Sequence, residues 1–178
     1  GGPAGLTAGL YAARSRLKTL LIERAILGGE LGTIDFIENY PGFPDGISGY
    51  DLSRKIEEQA KNFGLAVQFG EATEIKDGKL KSVYVEGREL LTKAIIIATG
   101  TEPKKIEAPG EELFRGRGIS YCATCDAPFY KGKKVAVVGG GNSAIEEALY
   151  LTKFAELVTV IHRGGSLRAD KILEERTR

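Results

Sequence analysis

Two stretches of the chain share one order of apolar and polar positions. The first passes from a glycine-rich start through a helical pattern ending near Ala13 and into an apolar strand at 18–23. The second begins with its own strand at 134–138, continues through a helical pattern at 142–154 and ends in another strand at 157–161. Apolar positions at helical spacing between short apolar runs predict β-α-β units of a parallel sheet.

The two stretches align with a constant offset. Gly2 corresponds to Gly141 and Gly5 to Ala144, each 139 positions later. Gly139 then corresponds to a position just before the chain's first residue. We therefore expect the first unit to lack its opening strand and first glycine, and the chain to be part of a longer protein. The absence of methionine agrees with this expectation.

Four stretches between the two units predict short strands at 65–69, 72–76, 79–86 and 89–98. Asp77-Gly78 falls between the second and the third and is a favoured hairpin turn. Consecutive strands joined by short polar turns usually pair with each other. The pattern predicts a β-meander inserted in the first domain.

The fourth of these strands ends in the run Ala-Ile-Ile-Ile-Ala-Thr-Gly at 94–100. Such a run is typical of a buried strand that delivers a tight turn onto a ligand, and a plain structural strand end has the same pattern. The stretch 106–118 is rich in Pro, Gly and charge and indicates a domain boundary. We divide the chain into a first domain at 1–110 and a second at 111–178.

The composition is that of a folded globular protein. Of the 178 residues, 42% are hydrophobic and 28% charged, which is enough for one large or two small cores. Lys and Arg number 25 against 24 Asp and Glu, so no overall field attracts nucleic acid or a membrane surface. The two cysteines are spaced as a redox or metal pair, which favours a reducing compartment and predicts a cytoplasmic protein.

Each glycine-rich turn precedes a helix, as in dinucleotide-binding proteins. The glycines permit a tight turn, the approach of a pyrophosphate to backbone amides, and close packing of helix on strand. Glu23 ends the strand of the first unit, where a carboxylate can accept hydrogen bonds from a ribose of FAD or NAD. His162 has the same place in the second unit and is followed by Arg163 and Arg168, cations that suit a 2′-phosphate. Glu23 and His162 can also be ordinary exposed strand-end residues.

Both cysteines lie in the segment Cys122-Ala123-Thr124-Cys125-Asp126, shortly before the second glycine turn. Two sulfurs three positions apart can close a small disulfide or bind a metal, and a thiolate at a helix start is stabilised by unpaired amides. A zinc site needs four ligands, and only His162 and scattered carboxylates remain to supply them. Two unrelated core cysteines are the other alternative.

Five segments are informative together: GGPAGLTAGLYAAR, GGELGTIDFIENYPGFP, IIIATG, CATCD and KVAVVGGGNSAIEEALYLTKFA. They resemble one family, the low-molecular-weight thioredoxin reductases of bacteria and archaea. The resemblance implies an α/β fold with two Rossmann-like three-layer (ββα) nucleotide-binding domains, the first with the inserted β-meander. The family pattern continues beyond residue 178, so the resemblance implies truncation at both ends.

The resemblance implies FAD in the first domain and NADPH in the second. Glu30 departs from the family, where Gln is frequent, and a carboxylate cannot donate a hydrogen bond to flavin as an amide can. The FAD contacts implied are Gly2, Pro3, Ala4, Gly5, Glu23, Glu30, Leu31, Asn39, Ala98, Thr99 and Gly100. The nicotinamide nucleotide contacts implied are Gly139, Gly141, Asn142, Ser143, Ala144, Glu146, His162, Arg163 and Arg168.

A second departure concerns the choice of nucleotide. Relatives that prefer NADPH resemble HRRxxxxR after this strand, whereas this chain has Gly164 in place of the second arginine. Loss of one charge-assisted phosphate contact costs about 1.5 to 3 kcal/mol, which is one or two orders of magnitude in preference. Arg163 and Arg168 still favour NADPH, with NADH or dual use as the alternative.

The family mechanism is a relay from NAD(P)H through FAD and a Cys122–Cys125 disulfide to a partner protein, thioredoxin or a similar protein. By resemblance, Cys125 receives the electrons and Cys122 attacks the partner disulfide. Asp126 acts as acid and base, or caps a helix, or does both. The family also implies a homodimer and a hinge at 106–118 between domains that rotate.

Other functions use the same elements. A related flavin dithiol oxidase would direct the CxxC pair towards oxygen, and a hydroperoxide-reductase flavoprotein would carry additional N-terminal domains. A non-catalytic flavin-binding redox sensor would report thiol state to a partner. A flavin spectrum without oxidation of NAD(P)H in the presence of a disulfide acceptor would identify the sensor.

Overall fold

The chain divides into two compact units, Gly1–Thr101 and Glu102–Arg178, in a computed structural model that describes residues 1–177. The boundary predicted after residue 110 lies inside the second of these units. Each unit contains helices and a pair of parallel strands, so the α/β fold class is confirmed. No helix among the described residues is long and apolar enough to cross a membrane.

Two helices form the core of the first unit. Helix α1 (Pro3–Arg14) begins with proline at its first turn, where the missing N–H is not needed. Helix α2 (Gly49–Asn62) is capped by the hydroxyl of Ser48, which accepts the backbone N–H of Asp51 at 3.0 Å. The buried apolar residues of this core lie on both helices and on the segments beside them: Leu6, Leu10, Ala13, Ile37, Leu52, Ile56, Ala60 and Leu65.

A parallel strand pair lies beside these helices. Strand β1 (Leu20–Glu23) pairs with β2 (Ala66–Phe69), with Leu20 opposite Ala66. The prediction that 65–69 belongs to the meander is therefore wrong. Helix α2 connects the two strands, and such a crossover brings the second strand back parallel to the first.

The meander has three strands, β3 (Ala72–Lys76), β4 (Lys81–Val85) and β5 (Arg88–Thr92), paired antiparallel in that order. Asp77-Gly78 lies in the connection between β3 and β4, as predicted. Val83 and Val85 of the central strand are buried.

The predicted strand 89–98 ends early, at Thr92. Residues 94–100 have no strand assignment, and Ile96 and Ile97 are each 71% exposed, so the prediction of a buried strand is wrong for this run. The physical reason is that the run has no neighbouring strand to share backbone hydrogen bonds with, because no strand within residues 1–177 pairs with it.

The second unit contains the predicted β-α-β segment. Strands β6 (Lys134–Val138) and β7 (Leu157–Ile161) are parallel, and their predicted bounds are confirmed. Helix α5 (Asn142–Leu151) ends three residues before its predicted end at Phe154. The reason is a tighter last turn, in which the N–H of Phe154 bonds to the carbonyl of Leu151 at 3.0 Å.

Four short helices complete this unit. They are α3 (Glu111–Phe114), α4 (Ala123–Asp126), a 3-10 helix (Ala127–Tyr130) and α6 (Lys171–Glu175). Ala123 and Ala127 are buried in one cluster with Leu151 at the end of α5. The segment that carries the cysteines is therefore packed onto the helix that follows the glycine turn.

Candidate redox and nucleotide sites

Cys122 and Cys125 form a disulfide across the four-residue helix α4, with their Cα atoms 5.3 Å apart. This pairing rules out two unrelated core cysteines. Within residues 1–177 no group of three or more His, Cys, Asp or Glu side chains could hold a metal ion.

The two sulfurs have different surroundings. Cys122 is half-buried at the N-cap of α4, and its Sγ accepts the backbone N–H of Cys125 at 3.2 Å. The hydroxyl of Thr124 lies 3.7 Å from the same sulfur. Cys125 is exposed. Two nearby donors would stabilise a thiolate at Cys122 once the disulfide is reduced. Thr124 was not selected from the sequence, where a Thr between two cysteines carries no signal of this contact.

Asp126 stands at the N-cap position of the 3-10 helix, as the capping interpretation expects, but its side chain makes no capping hydrogen bond. Burial and the charge of Asp126 together raise the pKa of the Tyr130 hydroxyl. Asp126 therefore acts electrostatically on a tyrosine of the same segment. Sequence reasoning did not select Tyr130.

The second glycine turn is closely packed around the start of α5. Gly139 has φ +150°, and a Cβ atom placed on it would lie 2.7 Å from the Cβ of Ala144. Gly141 is the N-cap of α5 and offers no capping side chain. The first amide groups of the helix have no partner within the helix and are available to an anion.

His162 packs on this turn. A Cβ atom on Gly140 would lie 2.5 Å from the His162 Nδ1, and one on Gly164 would lie 2.7 Å from the His162 Nε2. The backbone N–H of Arg168 donates to the Gly140 carbonyl at 2.6 Å. The structure thus brings His162 and the backbone of Arg168 to the glycine turn, while Arg163 is exposed on the loop between them.

Asn142 and Asp170 hold the far end of the same loop. The Asn142 amide donates to Asp170 Oδ2 at 2.8 Å, and its Oδ1 accepts the Asp170 backbone N–H at 2.8 Å. Asp170 was not selected from the sequence, because a contact between residues 28 positions apart leaves no local pattern. Ser143 and Glu146, two further predicted contacts, lie exposed on α5.

The first glycine turn faces a second glycine pair. Gly2 is the N-cap of α1, and a Cβ atom on Gly29 would lie 3.2 Å from the Gly2 Cα. Gly29 has φ +54° and begins the 3-10 helix Gly29–Thr33, which carries Glu30 and Leu31. Two predicted parts of the FAD site are therefore neighbours.

Gly5 packs α1 closely on its surroundings. A Cβ atom there would lie 3.3 Å from Leu21 Cδ1 in β1 and 3.6 Å from the Cβ of Ala98. This agrees with the expected role of the third glycine in helix-strand packing and brings Ala98 to the same helix. Three other predicted contacts, Asn39, Thr99 and Gly100, lie on exposed loops.

Glu23 ends β1 beside the glycine turn. Its carboxylate lies 2.7 Å from the Gly1 nitrogen and accepts the Ala25 N–H at 2.7 Å. Burial raises the pKa of the Glu23 carboxyl, and hydrogen bonds from the backbone N–H groups of Ala25 and Ile26 lower it. The carboxylate retains lone pairs for hydroxyl donors.

The two glycine turns and the disulfide are the features of an α/β protein of the dinucleotide-binding type with a paired CxxC motif. The model of the pyridine nucleotide-disulphide oxidoreductase family matches residues 1–178, and the chain belongs to that family.

Individual relatives agree with this assignment. Thioredoxin reductase of Bacillus subtilis is 51% identical over 176 residues, which are 98% of this chain and 55% of that protein. The structure of Lactococcus lactis thioredoxin reductase has a TM-score of 0.95 at 48% identity, covering 98% of this chain and 58% of that one. Thioredoxin reductase of T. acidophilum has a TM-score of 0.91 at 31% identity, covering 98% and 57%. The chain therefore spans little more than half the length of these relatives.

Proposed function

We propose that the protein carrying this chain is a thioredoxin reductase, a flavoprotein that passes electrons from NAD(P)H through FAD and the Cys122–Cys125 disulfide to thioredoxin or a similar protein. The observation that carries the proposal is the disulfide, which closes in the same unit as a dinucleotide-type glycine turn. The similar proteins named above are thioredoxin reductases, which supports the choice of acceptor.

The residues around the first glycine turn fit FAD, which when bound supplies a carrier that accepts hydride and reduces a disulfide. A Cβ atom at Gly29 would lie 3.2 Å from the Gly2 Cα on a backbone with φ +54°, so glycine is favoured at Gly29, as expected where a pyrophosphate meets backbone. The Glu23 carboxylate, which ends β1 beside this turn, can accept hydrogen bonds from ribose hydroxyls. The other proposed contacts are Pro3, Ala4, Gly5, Glu30, Leu31, Asn39, Ala98, Thr99 and Gly100.

The second glycine turn fits a nicotinamide nucleotide, with the amides at the start of α5 available to its pyrophosphate. We assign its 2′-phosphate to Arg163 and Arg168, which makes NADPH the preferred nucleotide. Gly164 supplies no third cation, so NADH or dual use is the alternative. The ratio of kcat/KM for NADPH and NADH decides between them, and a strong preference for NADH would contradict the assignment.

The chemistry of the cysteines follows from their surroundings. Reduction adds two electrons and two protons and converts the disulfide to Cys122 and Cys125 thiols. Cys122, stabilised as a thiolate by the Cys125 N–H and Thr124, attacks one sulfur of the partner disulfide and releases the other as a thiolate. Cys125 then attacks the Cys122 sulfur and releases the second partner thiolate. The Cys122 and Cys125 thiols lose their two protons as they ionise, and both protons end on the partner thiols, with Asp126 as the group that passes them on.

An anaerobic titration tests this function. The protein with bound FAD is titrated with NADPH or NADH, and thioredoxin disulfide is then added. We expect loss of the oxidised flavin absorbance during the titration and its recovery with thioredoxin. Recovery with oxygen or a hydroperoxide but not with thioredoxin would favour a dithiol oxidase or hydroperoxide reductase. No flavin reduction by either nucleotide would contradict a nucleotide-dependent enzyme.

The expected assembly is a homodimer in the cytoplasm. The location rests on the cysteine usage of the chain, whose two cysteines form one short-range redox pair. Light scattering of the protein with bound FAD measures the assembly, and a monomer mass would contradict the dimer.

A further inference from the structure

Glu111 is a buried acid in the second unit that no part of the proposed mechanism uses. It is 5% exposed and begins α3. Its Oε1 accepts the backbone N–H of Ile106 at 3.0 Å, and its Oε2 accepts the N–H of Glu107 at 2.7 Å. The hydroxyl of Tyr121 also donates to Oε1. A buried carboxylate is costly without such partners, so these contacts hold the surrounding segments in place.

The first segment held in this way is strained. Glu107 has φ +57°, in the left-handed region that residues other than glycine seldom adopt. Strain of this kind persists only where neighbouring contacts enforce it. The bond from the Glu107 N–H to Glu111 is such a contact.

The second segment held by Glu111 leads directly into the disulfide. Tyr121 precedes Cys122, and the guanidinium of Arg115 lies 5.5 Å from the centre of its ring. On the other side of Tyr121, the Ser120 hydroxyl accepts the Cys122 N–H at 3.1 Å and donates to the Cys122 carbonyl at 3.2 Å. The backbone of Cys122 is therefore fixed by the two residues before it.

We propose that Glu111 is a positioning residue for the redox disulfide and acts through Tyr121. One carboxylate holds both the strained turn at Ile106 and Glu107 and the side chain that precedes Cys122. Holding Cys122 in place raises the effective concentration of its sulfur at Cys125 and so favours the disulfide over the dithiol. The inference rests on the proposed function in one respect only, that the cysteine pair cycles between the disulfide and the dithiol.

The test measures the equilibrium of the pair with dithiothreitol in redox buffers, using the protein with bound FAD. Glu111→Gln replaces one acceptor oxygen by a donor, and Tyr121→Phe removes only the hydroxyl. We expect each to shift the equilibrium towards the dithiol by about fivefold, the equivalent of one hydrogen bond. Glu112→Gln is the matched control, because that carboxylate pairs with Lys105 at the surface and should shift nothing.

A double variant separates positioning from general loosening. If Glu111 acts through Tyr121, the combined Glu111→Gln and Tyr121→Phe shift is smaller than the product of the single shifts. Folded variants with an unchanged disulfide equilibrium, or with multiplicative shifts, would overturn the proposal. If Glu111→Gln does not fold, the Tyr121→Phe shift alone decides.

The readout needs neither nucleotide nor thioredoxin. A shifted equilibrium in a protein without reductase activity would therefore reject the proposed function and leave this inference standing. An unshifted equilibrium in an active reductase would reject this inference and leave the proposed function standing.

Discussion

His162 packs its imidazole ring against the backbone of Gly164, so that a Cβ atom at Gly164 would lie 2.7 Å from Nε2. The ring cannot withdraw freely, because its other side lies as close to Gly140. The glycine that removes one cation from the proposed phosphate site is therefore also the residue that accommodates His162. Restoring an arginine at 164 requires the ring to move.

We predict that Gly164→Arg alone raises the NADPH to NADH ratio of kcat/KM by less than the tenfold or more that a new charge-assisted phosphate contact supplies. Adding His162→Ala should release the conflict and raise the ratio further. Gly165→Arg is the control, because nothing lies within 4 Å of a Cβ atom there. A full gain from Gly164→Arg with no further gain from the second change would contradict the packing argument.

Two glycines of the second turn should have different roles, Gly139 in the stability of the fold and Gly141 in nucleotide binding. Gly139→Ala combines a φ of +150° with a contact at 2.7 Å, and we expect it to lower the free energy of unfolding by about 1 to 3 kcal/mol. Gly141→Ala meets nothing within 4 Å and should leave stability within about 0.5 kcal/mol, while weakening nucleotide binding. Urea unfolding and nucleotide titration measure the two effects. Equal stability losses would refute the distinction.

The Asn142–Asp170 pair should hold the loop that carries His162 and Arg168. Asn142→Ala removes both hydrogen bonds of the pair, and we expect faster hydrogen exchange at the Arg168 amide, which donates to Gly140. Asp170→Ala removes only the bond to its carboxylate and should have the smaller effect. Unchanged Arg168 protection in Asn142→Ala would show that the loop is held elsewhere.

The Tyr130 hydroxyl offers a pH-dependent readout of the redox segment. Burial and the Asp126 charge raise its pKa above the ordinary value, and Asp126→Asn removes the charge while burial remains. We expect the Tyr130 pKa to fall in this variant, because only burial still raises it. The difference in phenolate absorbance between matched proteins with and without Tyr130→Phe isolates this group. An unchanged or raised pKa would show that Asp126 does not act on it.

The local pattern of the sequence predicted the β-α-β segment of the second unit well. Strands 134–138 and 157–161 are short runs rich in β-branched residues between charged or glycine boundaries, and such runs favour a strand over a helix. The repeat offset also led to His162, which the structure brings to the glycine turn.

Pairing between distant segments was harder to predict. The run at 65–69 has the same apolar pattern whether it pairs within the meander or with β1, and the run at 94–98 reads as a strand although no strand of the described residues pairs with it. The contacts of Asp170 with Asn142 and of Glu111 with Tyr121 depend on how loops return in space. No periodicity along the chain encodes them.

The central claim is that the Cys122–Cys125 pair carries electrons from a nicotinamide nucleotide to thioredoxin. Its most direct test is anaerobic reduction of Cys122→Ser, with bound FAD, by NADPH or NADH, followed by thioredoxin disulfide. We predict that the flavin is still reduced and that no thioredoxin thiol forms, while the unchanged protein forms one dithiol for each nucleotide oxidised. Thioredoxin reduction by Cys122→Ser at the rate of the unchanged protein would contradict the account.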